Sequence, residues 1–338
     1  MATGGALYSA PEASAMSSTR RVFLVGTGSC LLPRLTWAQQ AKATPHIGWI
    51  SIEAQPDPFI DGFREGLRRH GYVEGTNVVL DLRYSPGNIE GLTAAVADLI
   101  QRKVLFIVSS GLATRAVKGD ENVPVLFVIS GDPVELGIAN SLSRPGRNFT
   151  GSTFMSLEIA GKRVELIKEA VPRLRTLAVL SNVDHPGEPS ERRATEAAAH
   201  PLGVTIAYVP FSSIGQLDTA FDAVRQARPD AIIVFPEGTT LSRRVKIAEF
   251  ALDHRLPSMF GWSEYVDAGG FMSYGANQQN TYVRLATYAD RLLRGAKPSD
   301  LPIEQPTKFE LVMNAQTAKA LGLTIPPSVL LRADRVIE

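Results

Sequence analysis

From His46 onward the apolar residues alternate between two spacings, one suited to strands and one to helices. Ile47–Ser51 is a short apolar strand, and Asp57-Pro58 then supplies a helix N-cap followed by proline at the first helical position. Phe59, Ile60, Phe63 and Leu67 follow at helical spacing, and Gly71 ends that helix. Val78–Tyr84 is the next strand, and Ile89, Leu92, Val96, Leu99 and Ile100 mark the next helix. Val104–Val108 and Val125–Ile129 are apolar on both faces, as in a covered parallel sheet. Gly131-Asp132-Pro133 repeats the Asp-Pro signature, so it reads as a second strand-to-helix junction, and Asn148–Thr153 reads as a link.

A second series follows the link. Its strands are Leu177–Leu180, Thr205–Val209, Ala231–Phe235 and Met259–Trp262. Its helices are Leu157–Ala170, Ser190–His200, Leu217–Ala227 and Leu241–His254. Two runs of strand-then-helix units predict an α/β protein of two doubly wound, Rossmann-like lobes. Phe271–Tyr274 and the helix Thr281–Arg294 come late and are expected to return to the first lobe. The expected division is 46–150 with 270–298 for the first lobe, and 151–268 with 305–338 for the second.

The segment before His46 has a different pattern. Arg20-Arg21 precedes the apolar run Val22–Leu32, which is followed by Pro33, Arg34 and a small residue at Ala38. This is the order of a cleaved export signal, and the run is too short for a membrane-spanning helix, which needs about 20 residues. Thr19-Arg20-Arg21-Val22-Phe23-Leu24 resembles the twin-arginine signal. Residues 1–38 are therefore read as a signal that starts at Met16, with cleavage after Ala38 and a periplasmic destination. Cys30, the chain's only cysteine, lies in that signal. The mature part then has no disulfide framework, no thiolate chemistry and no thiolate zinc ligands. A formal net charge of +1 gives no nucleic-acid footprint.

The motifs G-x-S-x-G, G-x-x-x-x-G-K-[ST], H-E-x-x-H and C-x-x-C are absent. His46, His70, His185, His200 and His254 are scattered and read as surface or helix-end residues. No cofactor or metal is expected. The candidate chemistry lies at strand C-termini, where open α/β sheets bind ligands. The candidates are Ser51 and Asp57; Ser109, Ser110 and Gly111; Asp132; Asn182; Glu237 and Thr239; and the aromatic residues Trp262 and Tyr274. Hydroxyls and open backbone N–H groups suit a carboxylate, while either Asp132 or Glu237 suits an ammonium, so the pattern fits a zwitterion such as an amino acid. A bland alternative exists for each: Asp57 and Asp132 as N-caps, the serines as turn formers, the aromatic residues as core.

Several segments also resemble one known family. They are Gly71-Tyr72-Val73-Glu74-Gly75, Gly131-Asp132-Pro133-Val134, Arg144-Pro145-Gly146, Ala268–Gly275, and Leu301–Glu310 leading to Ala318–Pro327. In this order, over about residues 46–338, they resemble the ABC transporter substrate-binding family that includes tryptophan- and tyrosine-binding members. The resemblance implies the type I periplasmic-binding-protein fold, with three crossovers and a ligand in the cleft. It also implies a monomeric receptor that closes about a hinge and delivers its ligand to a membrane permease. Two alternatives remain at this point: an α/β enzyme working in such a cleft, and a ligand-sensing module for a membrane receptor.

Overall fold

The computed structural model describes residues 44–53, 55, 57–86, 89–154 and 157–338. The leader with Arg20, Arg21, Cys30 and Ala38 lies outside the described residues.

The first sheet begins with β1 (His46–Ser51). Asp57 caps α1 (Pro58–Arg69) by accepting from the Phe59 amide at 2.9 Å. Its second carboxylate oxygen accepts from the Trp49 indole N–H at 3.0 Å, so the cap also ties the helix to β1. The chain continues through β2 (Val79–Tyr84), α2 (Ile89–Gln101), β3 (Phe106–Ser110), α3 (Thr114–Val117), β4 (Val125–Ile129) and β5 (Phe149–Thr153). The strands pair in parallel in the order β2-β1-β3-β4-β5. Both faces of the sheet are covered. Leu126 and Val128 of β4 join one buried cluster with Phe59, Phe63 and Tyr282, while Val125, Phe127 and Ile129 join another with α2 and α3.

The second lobe runs α4 (Leu157–Ala170), β6 (Thr176–Asn182), α5 (Glu188–Ala199), β7 (Thr205–Phe211), α6 (Leu217–Ala227) and β8 (Ala231–Val234). It continues with α7 (Gly238–Leu241), α8 (Arg244–Asp253), β9 (Ser258–Phe260), α9 (Ser263–Asp267) and β10 (Met272–Gly275). After α10 (Gln278–Leu293) come β11 (Glu310–Asn314), α11 (Ala315–Ala320), α12 (Pro327–Leu330) and β12 (Arg335–Ile337). The sheet order is β12-β11-β10-β9-β8-β6-β7, with β10 and β11 antiparallel and the other pairs parallel.

Three sequence expectations are corrected here. Phe271–Tyr274 does not return to the first lobe, because β10 pairs with β9 and β11. Only α10 returns, packing on α1 where Gly62 and Gly66 let the two helices approach closely. Asn148–Thr153 is not a link but contains β5, whose polar side chains are satisfied internally: Thr150 donates to the Leu301 carbonyl and Thr153 to that of Gly131, both at 2.8 Å. Finally, Asp132-Pro133 opens successive turns rather than a helix. The Asp132 side chain accepts from the Val134 amide at 2.7 Å, and the Leu136 amide bonds back to the Asp132 carbonyl at 2.9 Å.

The chain crosses between the lobes three times: after β5, between β10 and α10, and between α10 and β11. Glu304 of the third crossing bridges Ser152 beside the first. Asn277 of the second donates to the Glu310 carboxylate at 3.2 Å. Two parallel-sheet lobes joined by three crossings are the type I periplasmic-binding-protein fold.

Candidate functional site

The C-terminal ends of β1, β3 and β4 face those of β6, β8 and β9 across a cleft, and the lobes touch there. Ser130 at the end of β4 is hydrogen-bonded to Nε2 of His185, which follows β6. Arg115 of the first lobe lies 3.9 Å from Asp184, and Ser190 donates to Glu135 at 3.4 Å. Small residues make this approach possible. A Cβ on Gly187 would lie 2.8 Å from the Ser130 carbonyl oxygen, and one on Gly131 would lie 3.0 Å from that of Pro186.

The cleft has an aromatic wall and an acidic end. Phe59 of α1 stacks on Tyr282 of α10 at 4.9 Å and meets Trp262 of the opposite lobe edge-on at 6.3 Å. Phe154, on the first crossover, approaches Trp262 from another side at 6.3 Å. At the acidic end Glu53 reaches over from the loop after β1 and lies against Gly238. A Cβ on that glycine would be 1.8 Å from Glu53 Oε1. Glu237 is the neighbouring residue. Its carboxylate caps the turn into α7, accepting from the amides of Thr239 at 2.8 Å and Thr240 at 2.6 Å. Burial pushes the Glu53 carboxyl well above the usual range; Glu237 and Asp57 add to this, and Arg244 opposes it. Burial also raises Glu237, while the two amide bonds pull it back.

Buried polar atoms normally find partners. Among the described residues, His185 Nδ1 and Gln278 Nε2 are buried without one, and both residues line the cleft. Glu191 Oε2 is a third such atom, in a small adjoining cavity that shares Ser130, Phe154, Pro236 and Trp262 with the cleft. The space at the centre of the cleft is about 30 Å³. That admits a water molecule but not an amino acid. A larger groove of about 300 Å³ runs along the crossovers, and across it Arg284 pairs with Glu304 at 2.7 Å.

Of the residues singled out in the sequence, Ser110, Gly111, Glu237 and Trp262 line the cleft. The others have local partners. Ser51 Oγ accepts from the Glu53 amide at 3.1 Å, and Ser109 pairs with Thr114 at 3.0 Å. Asp57 and Asp132 cap their own segments, and Asn182 accepts from the Asp184 amide at 3.0 Å. Thr239 donates its amide to Glu237, and Tyr274 sits at the second crossover with its carbonyl bonded to Arg163. His185 overturns the expectation of a surface histidine: it is 3% exposed, and burial beside Arg115 lowers it to about 3. Phe59, Gln278 and Tyr282 were missed because they lie on helices, where their spacing signals core.

The family described as ABC transporter substrate binding protein matches residues 52–337. A curated relative, a tyrosine-binding protein of Clostridioides difficile (strain R20291), is 21% identical over 288 residues, covering 84% of this chain and 82% of the relative. Among solved structures, a domain from Streptococcus pneumonia in complex with L-Trp is 25% identical with a TM-score of 0.80, covering 87% of this chain and 100% of that one. A conserved domain protein from Vibrio cholerae has the same identity and TM-score, covering 87% and 99%. A leucine-binding protein from Thermotoga maritima shares the fold at 16% identity and a TM-score of 0.54, covering 74% and 83%.

Proposed function

The chain belongs to the family of ABC transporter substrate-binding proteins, and from that premise we propose that it is exported and captures a free amino acid with an aromatic side chain. The two lobes part, close on the ligand and present the closed form to a membrane permease. One observation carries the reading: two buried polar atoms without partners among the described residues, His185 Nδ1 and Gln278 Nε2, belong to residues that line a cleft with an aromatic wall and two carboxylates. Each group matches a part of such a ligand. Phe59, Trp262 and Tyr282 offer ring faces and edges to an aromatic side chain. Glu53 and Glu237 suit an ammonium, which would lower the cost of holding two acids together. Gln278 Nε2 is a free donor. The small central space fits a hinge mechanism, since entry requires the lobes to separate. The relatives that bind tyrosine and L-Trp support the same ligand class.

The test is calorimetry on protein freed of carried-over ligand by unfolding and refolding, against the twenty amino acids and a sugar panel. One-to-one binding of L-tryptophan or L-tyrosine is expected. Binding of a sugar with no response to any amino acid would overturn the proposal.

A further inference from the structure

Behind Trp262 the small adjoining cavity contains a guanidinium. Arg163 of α4 is only 6% exposed. Its Nε donates to the Tyr274 carbonyl at 2.8 Å. Among the described residues its terminal nitrogens have no hydrogen-bond partner, and no carboxylate reaches ion-pair distance. Taking a guanidinium largely out of water with a single neutral partner and no counter-charge is costly, so a residue placed this way favours an anion. Gly261 and Gly275 pack directly beside it, where a Cβ would come within 3.0 Å and 3.4 Å of Arg163 Nη2, so no side chain from either position covers the guanidinium. The other walls are Ser130 from the first lobe, Phe154 from the crossover, and Pro236 and Trp262, all shared with the cleft. The cavity is about 10 Å³ in this arrangement, and two of its walls move when the lobes part.

We propose that Arg163 is the carboxylate anchor of the cleft, pairing through its terminal N–H groups with the carboxylate of a bound amino acid. This rests on the functional reading above and narrows it: the ligand must carry a free carboxylate as well as the ammonium that the Glu53–Glu237 end suits. Glu191 of α5 is the resident counter-charge. Burial raises its carboxyl to about 7, and the Arg163 charge opposes that rise. A ligand carboxylate competing for Arg163 weakens that opposition, so Glu191 takes up a proton on binding. The other groups facing it do not replace it. Glu188, on the same helix, raises it further and is itself paired with Arg192 at 3.3 Å. From β10 comes only the Tyr274 carbonyl, which accepts from Arg163 Nε. Glu135 of the first lobe is engaged with Ser190.

The test compares L-tryptophan and L-tyrosine with tryptamine and tyramine, which lack the carboxylate, on the parent, Arg163→Met, Arg163→Lys and Glu191→Gln. The parent should prefer each amino acid over its amine by about 30-fold or more, the scale for losing one partner of a buried charge pair. Arg163→Met should bring that ratio close to one, while Arg163→Lys keeps part of it. Calorimetry near pH 7 in two buffers of different ionisation enthalpy should show proton uptake by the parent and none by Glu191→Gln. If the parent binds neither amino acid, the functional reading fails and this assignment falls with it. If the parent binds them and a folded Arg163→Met keeps the full ratio, only the assignment is overturned. Should that variant not fold, an undiminished ratio in Arg163→Lys together with no proton uptake by the parent has the same force.

Discussion

Replacing Gly66 with alanine sets two well-known effects of known size against each other. Gly66 lies inside α1, where alanine should be better than glycine by about 1 kcal/mol. The added Cβ, however, would lie 2.3 Å from the Val283 carbonyl oxygen and 2.6 Å from the Ala286 Cβ, both on α10. Neither atom belongs to a side chain that can rotate away. Ordinary heavy-atom contact is about 3.5–4 Å, so α10 must retreat by about 1 Å. Overpacking of this kind costs about 1–3 kcal/mol, which outweighs the propensity gain and leaves a net loss of about 1–2 kcal/mol. Gly161 inside α4 is the control. Its Cβ would meet only the Ala198 Cβ, at 3.4 Å, so the same substitution there should stabilise by about 0.5–1 kcal/mol. Thermal melts should move in opposite directions, by about 2–4 °C per kcal/mol for a chain of this size. Since α10 carries Gln278 and Tyr282 into the cleft, Gly66→Ala should also weaken ligand binding. A Gly66→Ala protein that melts at or above the parent would refute the reasoning.

Three further outcomes are expected. Glu237→Gln should lower affinity for the captured amino acid at least tenfold by calorimetry, while Asp132→Ala, which loses only a turn cap, stays within about twofold. The pH dependence of stability contains two opposed contributions. His185 sits at about 3 when folded, so its share is complete above its unfolded value of about 6.5 and is lost as the pH falls; Glu191 sits at about 7, so its share is complete below about 4.5 and is lost as the pH rises. Urea denaturation between pH 4.5 and 6.5 should therefore give His185→Gln a lower slope of stability against pH than the parent and Glu191→Gln a higher one; equal slopes would contradict both assignments. For export, changing Arg20 and Arg21 to lysine should leave the precursor in the cytoplasm, as read by fractionation and immunoblot, and normal processing of that variant would remove the twin-arginine reading.

What could be read from the sequence depended on whether the cause was local. Asp57 was identified because a cap needs only the amide two residues on. Asp132-Pro133 has the same dipeptide, yet no helix follows. Val134 is exposed and Leu136 only partly buried; Ile138 and Ala139 reach the core from turns rather than from a helix. β5 was hidden because its threonines, glycine and serine look like a turn; the partners of Thr150 and Thr153 are carbonyls on Leu301 and Gly131 that no local pattern shows. The strand-end rule found Ser110, Gly111, Glu237 and Trp262 because those ends converge in any fold of this kind. It could not reach Phe59, Gln278 and Tyr282, which helices bring to the cleft, or Arg163, which sits mid-helix and resembles a surface arginine until β10 covers it.

In the proposed site Gln278 should set stability against binding. It is 2% exposed, at the first turn of α10, with Nε2 bonded to nothing among the described residues. Leaving a buried donor unsatisfied costs about 1–3 kcal/mol, and a ligand that hydrogen-bonds to it in the proposed site would relieve that cost. Methionine has a similar length and no N–H. Gln278→Met should therefore make the free protein more stable by about 1 kcal/mol while weakening capture of the amino acid. A residue that merely packed α10 against the first lobe would give the reverse, with lower stability and affinity unchanged. Denaturant melts of the unliganded variant, paired with calorimetry, separate the two cases. A destabilised Gln278→Met protein with parental affinity would mean that the unpaired amide is an accident of packing and not part of the site.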